Sequence, residues 1–370
     1  MLRHLRFPVE QSRGRRYPEP EHPYRNPFLR DRDRVIHSRA FRRLEHKTQV
    51  FAPSLSDHFR NRLTHTIEVC QIARTVANVL GLNEDLTEAL ALVHDVGHPP
   101  FAHAGEDTLD GLMQQYGERF DHNIQSLRAV DSLELRYPRF PGLNLSFEVR
   151  EGIVKHSRDF EPGELPALDE YLPGLRPPLE SQLIDLADEV AYNTADLDDA
   201  FEAGLLNPDL VARYVPAYAE ILDTVETQFP GATERERFLE SVRQLVDDLV
   251  SGLIEGTVSA ARASGVSDFE GVRRHPVRIA RFSAEAKATS AQMKSFLFDF
   301  VYSSDELDAD RKSSGLRLTR MFEFLMEHPE KVPGGTEGLK PLHRAVCDYI
   351  AGMTDRYFFR IYEELFTARE

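Results

Sequence analysis

The strongest constraint on the fold lies in residues 62–132, where apolar positions recur with a period near 3.6 and glycine or proline closes the runs. Leu63, Ile67, Cys70, Ala73, Val76, Ala77 and Leu80 form one apolar stripe, and Gly81 suits a helix stop. Asn83 can cap a second helix whose core face is Leu86, Leu90 and Val93. Gly97 and the pair Pro99-Pro100 break it. A third helix is predicted from Phe101 to Gln115, and a fourth from a capping Asp121 to Ser132.

The same period extends along the chain. The stretch RDRDRVIHSRAFRRLEHKTQVF (30–51) reads as helical from Asp31, and residues 51–60 read as a loop. Residues 136–145 and 160–178 are proline-rich connections. A long helix is expected after Ser181, ended by Gly204, with further helical patterns over 208–228, 233–263, 284–303, 310–328 and 339–367. The run VRIARFS (277–283) has the composition of a short strand. There is no internal repeat and no Rossmann or P-loop glycine pattern. The expected fold class is all-α.

Composition narrows the setting. With 370 residues, of which 41% are hydrophobic and 29% charged, the chain suits a soluble protein with a sizeable core. No apolar run approaches the roughly 20 residues that span a bilayer, so no membrane partner is expected. Residues 1–28 lack the apolar core of a secretory signal. The cysteines, Cys70 and Cys347, make neither a disulfide scaffold nor a CxxC knuckle. A reducing, cytoplasmic setting is the expectation.

The net charge of −16 is unevenly spread: residues 1–62 carry 15 Lys and Arg against 7 Asp and Glu. Residues 1–27 hold five prolines and no helical period, which predicts an extended or disordered arm. Its arginines either bind phosphates or a neighbouring subunit, or are solvated or paired with the acidic body. The expected organisation is an arm over 1–29, a helical core over 30–204, and C-terminal helices over 205–370 packed on that core as one structural unit.

The candidate chemistry gathers on these helices. His94 and Asp95 end the second helix, and His65 lies 29 residues upstream on the first. Antiparallel packing of those helices would bring the imidazoles together. Asp188, Tyr192 and Asp196 recur every fourth residue on the long helix, which puts two carboxylates and a phenol in one row. With Asp185, Asp198 and Asp199 nearby, a solvated acidic stripe is the competing reading. His65, His94, Asp95 and Asp188 form a mixed nitrogen and oxygen set. It suits Mn, Fe, Co, Ni or Zn, or Mg with waters, at a metal with open positions. Such a metal polarises a phosphoryl oxygen and acidifies water.

The segment HDVGHPPFAHAGE adds His98, His103 and Glu106. His103 and Glu106 stand i, i+3, the layout of a histidine acid or base oriented by a carboxylate. His122 either joins that pocket or is an exposed polar residue after a cap. A polyphosphate needs cations, and Arg62, Lys155 and Lys294 are candidates. Arg62 has the best case because it shares the face of His65. Tyr302, eight residues beyond Lys294, is a further candidate or a core aromatic.

At this point the chain resembles the bacterial deoxyguanosinetriphosphate triphosphohydrolase-like proteins of the HD superfamily. The matching stretches are 30–51, RNRLTHTIEV (60–69), ALVHDVGHPPFAHAGE (91–106), FDHNIQSLRAV (120–130), EGIVKHS (151–157), LADEVAYNTADLDDA (186–200) and DYIAGMTDRY (348–357). The resemblance implies an HD-domain helical core with additional C-terminal helices. It implies hydrolysis of a dNTP at the α-phosphorus to deoxynucleoside and inorganic triphosphate. His65, His94, Asp95 and Asp188 then look like the metal ligands, and His103 with Glu106 like the catalytic pair. Gln49 and the pair Tyr192/Asp196 look like readers of the deoxyribose. Arg62, Lys155, Lys294 and Tyr302 look like phosphate-side contacts, and His98 and His122 like residues near the attacked phosphate. Ala102 stands where many relatives have glycine. A homo-oligomer, a hexamer or another multiple of dimers, is implied, and a dNTP or single-stranded DNA effector is compatible.

The expected mechanism has water attacking in line, aided by His103, with Glu106 holding the imidazole and basic side chains steadying the triphosphate. Two rival readings remain at this stage. One is another HD phosphohydrolase, a nucleoside monophosphatase or a phosphodiesterase. The other is a non-enzymatic protein that binds nucleotide or single-stranded DNA.

Overall fold

In the computed structural model, residues 1–51, 58–333 and 341–366 are described. The protein is all-α, 68% helical, with no strand among the described residues. No helix among them is long and apolar enough to cross a membrane. In chain order the helices are α1 (Pro27–Ile36), α2 (Arg39–Arg43), α3 (Arg62–Leu80), α4 (Glu84–Val93), α5 (Ala102–Gln114), α6 (His122–Arg128), α7 (Phe147–Val154) and α8 (Leu179–Glu202). They continue with α9 (Pro208–Tyr214), α10 (Pro216–Gln228), α11 (Glu234–Ser264), α12 (Phe269–Arg274), α13 (Ala284–Leu297), α14 (Asp305–Glu327), α15 (Leu342–Ala351) and α16 (Asp355–Phe366).

Two compact units emerge, each discontinuous in sequence, whereas the sequence reading divides the chain linearly at residues 29 and 204. The first comprises residues 1–32, 65–92 and 146–304. Here α8 packs on α11 and α13, and α10 lies along α11. Leu183, Val190 and Leu197 of α8 are buried, as are Phe238, Leu245, Leu249 and Leu253 of α11. The second unit comprises residues 33–64, 93–145 and the chain from 305 onward. Its core sets Leu109, Leu112 and Met113 of α5 among Leu318, Met321 and Phe322 of α14, Val346 and Ile350 of α15, and Phe358 of α16.

Several elements differ from the sequence expectation. The 30–51 stretch is not one helix. Asn26 caps α1 by accepting from the Phe28 and Leu29 amides, so that helix starts at Pro27. Ser38 then caps α2, and Glu134 accepts from the Arg39 and Ala40 amides. These side chains satisfy the first-turn donors of α2 and make it a separate helix. Pro216 divides 208–228 into α9 and α10, since it brings no amide hydrogen. The 284–303 run ends in a wide turn over Phe298–Tyr302, closed by the Ser303 amide on the Phe298 carbonyl. The helical run expected over 339–367 is α15 and α16, and its residues 339–340 and 367 lie outside the described residues, as do 52–57 of the 51–60 loop.

Residues 277–283 form no strand. The Ile279 and Ala280 amides donate to Gln182, and the Arg281 amide to Thr257, so side chains take the place of a partner strand. The N-terminal arm is extended with two short 3₁₀ turns, and it is docked rather than disordered. Leu2, Leu5 and Phe7 are buried, and Phe7 packs edge-on against Phe28 and Phe269. Three apolar anchors supply what the arm's composition lacks elsewhere. Arg15 pairs with Asp31 and Arg16 with Glu170, so these two arginines meet acidic groups of the same unit.

Candidate active site

In the first unit, α8 presents the Asp188, Tyr192, Asp196 row. His65 Nε2 lies 2.8 Å from Asp188 Oδ1. At the other end of the row the Tyr302 hydroxyl donates to Asp196. Tyr302 reaches there from the wide turn after α13, which shifts it off the simple i, i+8 register with Lys294. Lys294 Nζ is 2.8 Å from Glu189 and 5.6 Å from the centre of the Tyr192 ring. Burial pushes the Tyr192 hydroxyl up to about 12, although Lys294 opposes the shift. Burial and the Asp196 carboxylate push Tyr302 well above the ordinary phenol range. The row therefore offers a carboxylate beside an imidazole at one end and a carboxylate already accepting a hydroxyl at the other.

Asp185 does not belong to a solvated stripe. It is held by His156 Nδ1 at 2.6 Å and by Arg278, which also reaches both oxygens of Asp159. Lys155 stands in the neighbouring network. Its ammonium donates to Glu151 at 2.8 Å and to the carbonyls of Leu172 and Leu175 at 2.9 and 2.8 Å. Arg273 grips the same Glu151 with two nitrogens. Burial lowers the Lys155 ammonium from its ordinary range, with Glu151 opposing. All three ammonium protons thus serve the frame of this unit.

In the second unit the site is built on one turn. His94 and Asp95 follow the last residue of α4, and the His98 amide closes onto the Asp95 carbonyl. The Gly97 amide donates to Ser126 Oγ, which donates to the His94 carbonyl. A Cβ on Gly97 would lie 2.1 Å from the Ser126 nitrogen, so only glycine lets the turn approach α6 this closely. Phe101 and Ala102 both take positive φ, 66° and 51°. Glycine adopts that conformation without the strain a Cβ brings.

Arg62 Nη1 donates to Asp95 Oδ2 at 2.7 Å, and both groups are buried. Asp95 Oδ1 lies 3.2 Å from His98 Nε2 and 3.5 Å from His94 Nε2. Burial opposes ionisation of Asp95, but His94, His98 and Arg62 outweigh it and hold the carboxyl well below its usual range. Burial, helped by Arg62 and His122, holds His98 well below the ordinary imidazole range, so His98 is neutral near pH 7.

Glu106 faces two imidazoles. Its Oε1 accepts from the His122 backbone amide at 3.0 Å and lies 2.7 Å from His122 Nδ1. His103 Nδ1 is 3.7 Å from Oε2, and the His103 side chain is 79% exposed. Burial opposes the ionised form of Glu106, yet the two histidines hold its carboxyl far below the usual range. The His122 and His98 rings stack at 3.9 Å with 19° between their planes. Asp95, His98 and His122 bring ligand-type atoms within 4.8 Å of one another.

Gln49 is half-buried, and its Oε1 has no hydrogen-bond partner among the described residues. The two residues before it are fixed within this unit. Lys47 donates to the His98 and Ala351 carbonyls, and the Thr48 amide donates to Asp355. Sequence reasoning passed over Lys47 and Asp355, although KTQVF and DYIAGMTDRY contain them. Nothing local marks a lysine whose partners lie 51 and 304 residues away.

The HD domain matches residues 62–193, and a phosphohydrolase-associated domain matches residues 280–364. A protein of Geobacter sulfurreducens named deoxyguanosinetriphosphate triphosphohydrolase-like protein is 43% identical over 97% of this chain and 94% of its own length. Proteins with the same name from Leptospira interrogans and Bordetella pertussis are 41% and 42% identical over 95% and 96% of this chain, and 93% and 94% of their own lengths. HD domains are metal-dependent hydrolases. The donors here suit a divalent metal: the 2.8 Å between His65 Nε2 and Asp188 Oδ1 is close to the ~3 Å spacing of neighbouring ligands around an ion bonded at about 2.1 Å.

Proposed function

Because the chain belongs to the family of deoxyguanosinetriphosphate triphosphohydrolase-like proteins, we propose that this HD phosphohydrolase is a metal-dependent dNTP triphosphohydrolase. The observation that carries the reading is the row on α8. Asp188 sits beside His65 at its metal end, and Asp196 at its far end already accepts a hydroxyl from Tyr302. An acceptor of that kind suits the 3′-hydroxyl of a deoxyribose, with Tyr192 between sugar and phosphate and Gln49 as a further sugar contact.

His65, His94, Asp95 and Asp188 would hold the metal, which would supply charge withdrawal from the phosphorus and a more acidic water. Arg62 keeps Asp95 ionised and oriented. Arg62 and Lys294 supply positive charge on the phosphate side, whereas Tyr302, expected there from the resemblance, sits on Asp196 at the sugar end of the row. Lys155 belongs to the frame. Proton transfer falls to the imidazoles around Glu106, namely His98, His103 and His122. Water bonds to the α-phosphorus, the bond to the 5′-oxygen breaks, and triphosphate leaves intact. We also expect a cytoplasmic homo-oligomer, a hexamer or another multiple of dimers, that responds to a dNTP or single-stranded DNA effector.

Chelator-stripped protein incubated with the four dNTPs, singly and mixed, tests this reading. Added Mg or Mn is expected to yield deoxynucleoside and triphosphate on anion exchange, with no product before metal is restored. Orthophosphate or pyrophosphate as the sole phosphate product would replace it with another HD chemistry.

A further inference from the structure

We propose that Lys47 and Asp355 are positioning residues that clamp the strained turn His98–Ala102, so that the C-terminal helices set the geometry at the start of α5. The inference rests on the triphosphohydrolase reading, in which His98 in this turn and His103 just after it serve the reaction. It adds two buried groups that act through the backbone rather than on the substrate.

The turn is costly to hold. Phe101 and Ala102 are successive left-handed residues, at φ 66° and 51°, and each carries a Cβ. Such a conformation persists only where the surroundings over-determine it. The turn has little of its own to do so. Pro99 and Pro100 bring no amide hydrogen, so the Phe101 amide is the one backbone donor between His98 and Ala102.

Asp355, the first residue of α16, takes that donor. Its Oδ1 accepts from the Phe101 amide at 3.0 Å and its Oδ2 from the Thr48 amide at 2.8 Å. On the other side of the prolines the His98 carbonyl accepts from Lys47 Nζ, which also donates at 3.0 Å to the carbonyl of Ala351, the last residue of α15. The Phe101 ring adds an apolar tie, edge-on to Phe358 at 4.9 Å and 5.2 Å from the centre of Phe359. Both ends of the proline pair are thus held to the last two helices, and the two ties share the backbone of Lys47 and Thr48.

Ala351 and Asp355 lie in the segment that the phosphohydrolase-associated domain matches, which gives that segment a task in the chemistry. A buried lysine and a buried carboxylate are a poor source of stability, because apolar groups of similar volume avoid their desolvation. They are well suited to fixing where a carbonyl and an amide point. With either tie cut, Phe101 and Ala102 relax toward negative φ, and the first turn of α5, which carries His103 and Glu106, changes direction.

The test uses full-length, metal-loaded enzyme. Asp355→Ala and Lys47→Met are each expected to lower kcat by about 10- to 100-fold with KM within about threefold, the effect of misplacing a reacting group by about 1 Å. The decisive readout is suppression. Ala102→Gly alone is expected to leave kcat near wild type. Combined with Asp355→Ala it is expected to raise kcat by about 5- to 30-fold, the equivalent of the strain that one left-handed Cβ stores. If Asp355 only stabilised the fold, its variant would lower the urea midpoint, keep the kcat of the folded enzyme, and gain no rate from Ala102→Gly. Should Asp355→Ala not fold, Lys47→Met and Asp355→Asn carry the same double variants.

Hydrogen exchange reads the clamp without turnover. The Phe101 amide is expected to exchange slowly in the wild type and on the order of tenfold faster in Lys47→Met, although Lys47 does not bond to it. A kcat within about threefold of wild type in folded Asp355→Ala and Lys47→Met, no recovery through Ala102→Gly, or a Phe101 amide indifferent to Lys47→Met overturns the proposal. If the wild type releases no triphosphate, the triphosphohydrolase reading fails by itself, and the exchange rates and the ester that is cleaved still decide the clamp.

Discussion

Asp95→Ala is expected to abolish phosphohydrolysis and to destabilise the metal-free protein by about 3–5 kcal/mol, because it leaves the Arg62 guanidinium buried without its carboxylate. The two effects have separate origins. Activity is lost with a ligand of the metal, whereas stability is lost with the counter-charge 2.7 Å from Arg62 Nη1. The double variant Asp95→Ala/Arg62→Met removes the stranded charge and should regain most of the stability while activity stays absent. Urea unfolding with chelator present measures the first quantity, and release of phosphate product the second. A double variant no more stable than Asp95→Ala, or a single variant that still turns over substrate, would refute this account of Asp95.

Glu151→Ala is expected to cost about as much, roughly 3–5 kcal/mol, without touching the chemistry. Glu151 is 0% exposed and accepts from Lys155 and from two nitrogens of Arg273. Its removal strands two buried cations in a fold whose whole stability is about 5–15 kcal/mol. Glu151→Gln keeps acceptor oxygen but not charge, and should fall between the wild type and alanine. The companion variant Lys155→Met separates frame from substrate contact: it should change the urea midpoint and leave KM for the dNTP unchanged. A rise in KM of about tenfold at unchanged stability would return Lys155 to the phosphates.

Helices were readable because their signals are local. Asn83 accepts from the Leu86 amide at the start of α4, and Asp121 from the Asn123 and Ile124 amides at the start of α6. Thr233 and Glu236 form a reciprocal capping box on α11. The breaks at Ser38 and Phe298 escaped the periodicity because apolar residues continue through them. The site was readable as a set of residue types, and far less as a set of partners. Spacing along a helix tells which residues share a face, so His103 and Glu106 look paired from the sequence. It does not tell what a side chain meets on the next element, and Glu106 finds His122 there. The same limit hid the Glu151 network, whose Arg273 lies 122 residues away. A solvated acidic stripe around Asp185 stayed open as the competing reading for the same reason, since His156 and Arg278 come from other elements.

Hydrolysis of a dNTP in ¹⁸O-labelled water tests the central claim most directly. Attack at the α-phosphorus with cleavage of the bond to the 5′-oxygen predicts one ¹⁸O in the released triphosphate and none in the deoxynucleoside, read by mass spectrometry. Label in the deoxynucleoside, or label appearing in orthophosphate or pyrophosphate with no triphosphate formed, would contradict it.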